Sequence, residues 1–136
     1  MKVYNRPPVS YQRALQCILP EIDMVCKSML LPNPQIKAVR DFRSLGGYEP
    51  DSYLTHPLIV INLDRLPFSL LKKGVDLKRI LSMIVLHELG HAYLDSQGVP
   101  LPHDEKNIYH FWIKYSETNS VDLTVLKANI IVKLSS

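Results

Sequence analysis

Apolar residues early in the chain recur every three to four positions. Leu15, Ile18, Leu19, Ile22, Val25, Cys26, Met29 and Leu30 fall on one stripe of a helix that the pattern places over Tyr11–Leu31. Pro20 lies inside this stretch. A proline is best accommodated in a first helical turn, so it can divide the element in two, with Glu21 favourably placed at the start of the second piece. Pro32-Asn33-Pro34 ends the pattern, and residues 1–9 read as an extended lead-in stiffened by Pro7-Pro8.

The period then shortens. Two or three short antiparallel strands are expected: Ile36–Phe42, a weaker one near Tyr48–Leu54, and Leu58–Leu63, divided by Gly46-Gly47 and by Glu49-Pro50-Asp51-Ser52. The run Leu58-Ile59-Val60-Ile61-Asn62-Leu63 carries the strongest strand signal, and Asp64-Arg65 and Pro67 close it. Asp76 suits the N-cap of a helix over Leu77–Asp95, stopped by Ser96-Gln97-Gly98 and opposed by Pro100 and Pro102. Ile80 to Leu86 is apolar on nearly every side, which calls for a central, buried helix. Beyond it, Asp104–Ser116 and Ser120–Leu134 read as helical, and Ile108, Phe111, Trp112 and Tyr115 form a stripe suited to packing on the central helix.

Composition bounds this picture. At 136 residues, 46% apolar and 21% charged, the chain is too apolar for disorder and has the size of a single soluble domain covering 1–136. A chain of this length buries roughly 65–70% of its surface, so a core forms without disulfides. The net charge of +3 is scattered, with only Lys72-Lys73 and Lys78-Arg79 adjacent, so nucleic acid is not an expected partner. The N-terminus carries no apolar signal core, and no apolar run approaches the ~20 residues of a membrane span, so neither secretion nor a membrane partner is expected. Cys17 and Cys26, nine apart, point to opposite sides of a continuous helix and are expected to be reduced thiols, in keeping with a cytoplasmic location.

Four of the five histidines fall between His87 and His110. His87 and His91, four apart on the buried helix, lie about 40° apart around its axis and can offer both imidazoles to one ion. Glu88 stands about 100° from His87, within reach of a water on that ion without having to coordinate it. The arrangement suits metal-assisted hydrolysis: Zn2+ lowers the pKa of its water to about 7, and the carboxylate takes the proton and returns it to the leaving amine. From this composition the string His-Glu-x-x-His would arise by chance in roughly one chain of this length in 150. Its position straight after an apolar run, where burying polar groups is costly, argues further for a purpose. Gly90 within the helix costs ~1 kcal/mol relative to alanine and points to a closely packed neighbour.

The stretch His87-Glu88-Leu89-Gly90-His91-Ala92-Tyr93 resembles the active-site helix of the zincin metallopeptidases. The likeness covers residues 45–122 in outline, and only its five-residue core is highly specific. It implies an α+β, zincin-like domain: an N-terminal helix, a small antiparallel sheet, the central zinc helix and C-terminal helices. It also implies a zinc-dependent peptidase acting on a protein or peptide, with His87 and His91 as metal ligands and Glu88 as general base and acid. In that clan a strand before the helix binds extended substrate by β-addition, and Leu58–Leu63 is placed to be it by resemblance.

Zinc in such sites takes three protein ligands and a water, so a third ligand is required. Leu94 and Gln97 stand where the metzincin pattern would want glycine and a histidine or aspartate. Asp95, about 80° round from His87, is better suited to orient a neighbour or to face solvent than to ligate. Glu117, 26 residues after His91, resembles the glutamate that gluzincins supply from the next helix, as in the small ImmA/IrrE-like peptidases; Ser120 follows their pattern, and Asp122 stands one place late. His103, twelve residues after His91, resembles the third histidine of SprT-like proteases. Glu117 is preferred, His103 is the alternative and Glu105 comes third. His110 lies seven residues from both Glu117 and His103.

An oxyanion stabiliser is not identifiable, since Tyr93, Tyr109 and Tyr115 all suit the core. The ImmA/IrrE likeness implies an intracellular regulator as substrate. Two other functions fit the same residues: a zincin fold kept as a binding or regulatory module, and an SprT-like protease of DNA-bound proteins.

Overall fold

A 21-residue helix, α1 (Val9–Met29), opens the fold, followed by strands β2 (Gln35–Arg40), β3 (Gly46–Tyr48) and β4 (Leu58–Asn62) and by a 20-residue helix, α2 (Leu77–Ser96). A two-residue strand, β1 (Lys2–Val3), precedes them. The computed structural model describes residues 2–3, 6–40, 45–49, 52–66, 76–98 and 114. The class is α+β, as the sequence implies. The C-terminal helices expected over Asp104–Ser116 and Ser120–Leu134 lie outside the described residues, apart from Lys114, which is helical and exposed.

α1 is one helix, not two, and Pro20 sits inside it. The lost i→i−4 bond is tolerated because Gln16, whose carbonyl it would have engaged, lies on the same exposed side as Pro20. Tyr11, Ala14, Ile18, Ile22, Val25, Cys26 and Met29 form the buried stripe. Cys17 is exposed and Cys26 buried, both free, as their half-turn offset requires. Burial pushes the Cys26 thiol up to about 12. The helix ends at Leu30, left-handed with φ 57°, where the amide of Leu31 closes on the carbonyl of Cys26 at 2.9 Å.

The sheet order is β1-β2-β4-β3. β1 runs antiparallel to β2, and β3 runs antiparallel to β4, but β2 and β4 are parallel, so the sheet is mixed where an antiparallel one was expected. The reason lies in the two strands' makeup. β4 buries Ile59, Val60, Ile61 and Asn62, on both of its faces, and a strand of that kind is stable only in the middle of a sheet. Gly46-Gly47-Tyr48 has little to bury and takes the edge of the sheet among the described residues. The chain therefore passes from β2 to the far edge, and β4 returns into the gap parallel to β2.

Gly46-Gly47 thus forms part of a strand and not a break, while Tyr53 and Leu54, expected in the weaker strand near Tyr48–Leu54, lie in a turn over Ser52–Thr55 closed by the amide of His56 on the carbonyl of Ser52 at 2.7 Å. Tyr53 points into the core from this turn and donates to the carbonyl of Pro32 at 3.3 Å. After β4, the side chain of Asn62 accepts from the amide of Asp64 at 3.1 Å and starts the 3-10 turn Leu63–Arg65.

α2 begins where expected. Asp76 accepts from the amide of Lys78 at 3.0 Å, a cap of the kind that stabilises a helix by about 1 kcal/mol. The helix packs on α1 along one side and on β3 and β4 along another. Ile80, Leu81, Ile84, Val85, Leu86, Leu89 and Ala92 are all buried between these neighbours, as an element apolar all round demands. A polar tie crosses to α1, where Ser82 donates to Glu21 at 3.3 Å. Among the described residues no helix is long and apolar enough to cross a membrane.

Candidate metal centre

The register of the sheet decides what faces α2. Gly46 lies opposite Ile61 and Tyr48 opposite Ile59, so these four share one face, and Ile59 and Ile61 belong to the core cluster that contains α2. On the helix, Ile84, Glu88 and Asp95 lie within about 40° of one another around the axis and make one stripe. This stripe meets β3. A β-carbon on Gly46 would stand 2.8 Å from Cγ2 of Ile84 and 3.6 Å from Oε1 of Glu88, so the edge strand lies directly on the helix at the glutamate.

The glycine is what permits that approach. Gly46→Ala would also bring its β-carbon to 3.2 Å from the carbonyl oxygen of Val60, so relief by simple sliding is blocked. The substitution is expected to destabilise the fold by about 1–3 kcal/mol, the usual cost of overpacking, measurable as a lower urea midpoint at unchanged slope. Stability equal to that of the wild type would mean that β3 stands farther from α2.

Next to this stripe the two histidines converge. Their Nε2 atoms are 3.2 Å apart, with ring centroids 4.8 Å apart and ring planes at 81°. Two nitrogens at that separation, each 2.0–2.1 Å from one zinc ion, subtend about 100° at the metal, close to the tetrahedral value. The same spacing also suits an N–H···N hydrogen bond between the rings. His91 and Glu88 are both buried, each 9% exposed, and His87 is half-buried. The two imidazole nitrogens are thus aimed at one point at a separation that a shared zinc ion would accept.

Among the described residues no group of three or more His, Cys, Asp or Glu side chains is arranged to hold a metal. Glu117, His103, Glu105 and His110 all lie outside the described residues. Tyr93 is half-buried against the core, as expected of it, and Gly90 is buried. His56 is exposed in the turn before β4, with Nδ1 3.1 Å from Oγ1 of Thr55.

One expectation changes. Leu58–Leu63 is not a cleft-bordering strand, because β4 is paired on both sides, by β2 and by β3, and its edges are taken. Among the described residues, the strand at the sheet edge that also lies on Glu88 is β3. Of the two roles expected of Asp95, the structure shows the one toward a neighbour: it accepts a hydrogen bond from the Tyr48 hydroxyl, 47 positions away in sequence. Burial, reinforced by Asp95 and by the charge of Glu88, pushes the Tyr48 phenol far up from its ordinary value, so it stays a protonated donor across the physiological range. The Tyr48 ring packs edge-to-face on Tyr53 at 5.8 Å.

Compared with protein-family models, with curated proteins and with solved structures, the chain matches none.

Proposed function

We propose that the protein is a zinc-dependent peptide hydrolase. The observation that carries this reading is the convergence of the His87 and His91 Nε2 atoms to 3.2 Å on the helix that also buries Glu88. His87 and His91 hold the metal, and Glu117 completes the site, with His103 as the alternative ligand. Zinc bound there supplies Lewis acidity, lowering the pKa of a water to about 7 and polarising the scissile carbonyl.

The chain's own residues do the rest. Glu88 accepts the water's proton and delivers it to the departing amine. Because Glu88 is buried against β3, the proton is held in a site from which bulk water is largely excluded, and charges there interact more strongly than in solvent. An extended peptide laid along the edge strand β3 brings a peptide bond past Glu88, which makes a protein segment the natural substrate class. The likeness to ImmA/IrrE-like peptidases suggests an intracellular regulator as that protein.

The test is cleavage of an unstructured protein by the full chain with and without metal. Cleavage is expected to stop when a chelator strips zinc and to return when zinc is restored, and to be indifferent to added DNA. Cleavage that survives chelation would contradict a metal-dependent reaction. Cleavage that rises with DNA and falls with salt would favour the SprT-like alternative.

A further inference from the structure

Two contacts fasten the edge strand to the helix that carries Glu88. At one end Gly46 lies on Ile84 and Glu88; two residues on, and on the same face, the Tyr48 hydroxyl donates to the carboxylate of Asp95, two turns beyond His87. Between these points β3 is three residues long, with one strand neighbour, β4, among the described residues. Pairing that short gives little stability by itself. Tyr48 is also fixed from behind, by the edge-to-face ring of Tyr53, whose hydroxyl is bonded to the carbonyl of Pro32. A line of contacts thus runs from the last turn of α2 through β3 to the connection after α1.

We infer that Tyr48 and Asp95 form a latch that holds β3 at a fixed distance across Glu88, and that through the strand they position the peptide substrate. The second half of this inference rests on the hydrolase reading. Tyr48 and Asp95 are positioning residues: the hydroxyl is engaged by Asp95, so it sets where the strand lies and takes no part in moving protons.

The latch has a readout of its own. The amide of Asn62 donates to the carbonyl of Leu45 at 2.7 Å, and since hydrogen-bonded pairs alternate in an antiparallel ladder, the next such pair is Gly47 with Val60. The Gly47 amide therefore reports how firmly β3 is seated. In the zinc-loaded full chain, Tyr48→Phe and Asp95→Ala are each expected to lower hydrogen-exchange protection at Gly47 by about tenfold or more, as loss of a hydrogen bond to a charged group implies. Amides of the β2–β4 ladder should be unaffected.

The double variant should match either single one. Asp95→Asn, which keeps an acceptor, should retain most of the protection. On a peptide substrate the same variants should raise KM by about tenfold with kcat changed little, because a misplaced strand weakens binding before it touches the chemistry.

Unchanged protection at Gly47 in both Tyr48→Phe and Asp95→Ala overturns the latch. Loss of protection with KM unchanged overturns the positioning role. A wild-type protein that cleaves nothing defeats the hydrolase reading, and the positioning role with it, while exchange at Gly47 still decides the latch.

Discussion

Glu88→Gln is expected to cut peptide hydrolysis by about 10²–10⁴-fold, the range that a positioned general acid–base contributes. The amide is nearly isosteric with the carboxylate, so the contact with Gly46 survives and the helix stays seated on β3. What goes is the ability to take a proton from water and pass it to the amine. Zinc should remain bound, because Glu88 is not among the proposed ligands. The useful comparison is therefore activity per bound zinc in the two proteins. A Glu88→Gln variant that keeps wild-type turnover would show that the carboxylate is structural. A variant that keeps a biological effect while losing all cleavage would favour the binding-module alternative.

His87→Ala and His91→Ala are expected to have the largest effect on metal affinity. Removing a partner that only orients a ligand costs roughly 10–100-fold, and removing a ligand should exceed that range for either histidine. Activity should vanish in both. If the rings merely hydrogen-bonded to each other, the substitutions would instead cost folding stability and leave any zinc affinity where it was. His91 provides the sharper case, since it is buried on α2 and its replacement leaves a small void that stability measurements can register alongside metal affinity. Competition with a chromophoric chelator at fixed pH separates the two outcomes. Because zinc binds only the neutral imidazole, affinity should also fall as the solution is acidified.

Much of the helical framework was legible because helix signals are local. Asp76 as a cap, the apolar run Ile80–Leu86 and the 40° offset of His87 and His91 all follow from residues within a few turns of one another. β4 was legible for the same reason, as a run of branched apolar residues bounded by turn formers. Strand order was not. Whether β4 pairs with β2 parallel or antiparallel depends on where β3 goes, and no local pattern carries that; the clue was that β4 is apolar on both faces and so belongs in the middle of a sheet.

Pro20 misled in a different way, since the cost of a proline inside a helix depends on which side is wet. In the site, Gly46 had a signal: a glycine in a strand pattern marks a close approach of backbone to another element. Tyr48 had none. Its partner Asp95 lies 47 residues away, and only the packing of β3 on α2 brings the two together.

Elemental analysis of the purified full chain decides whether His87 and His91 are two ligands of one zinc ion. One zinc per chain is expected in the wild type and in Glu88→Gln, and none in His87→Ala or His91→Ala. Glu117→Ala and His103→Ala extend the same measurement: loss of zinc in the first names the gluzincin ligand, and loss in the second names the SprT-like one. A wild-type chain that takes up no zinc when it is supplied, or a His91→Ala chain that keeps a full equivalent, would show that the two histidines do not hold zinc together.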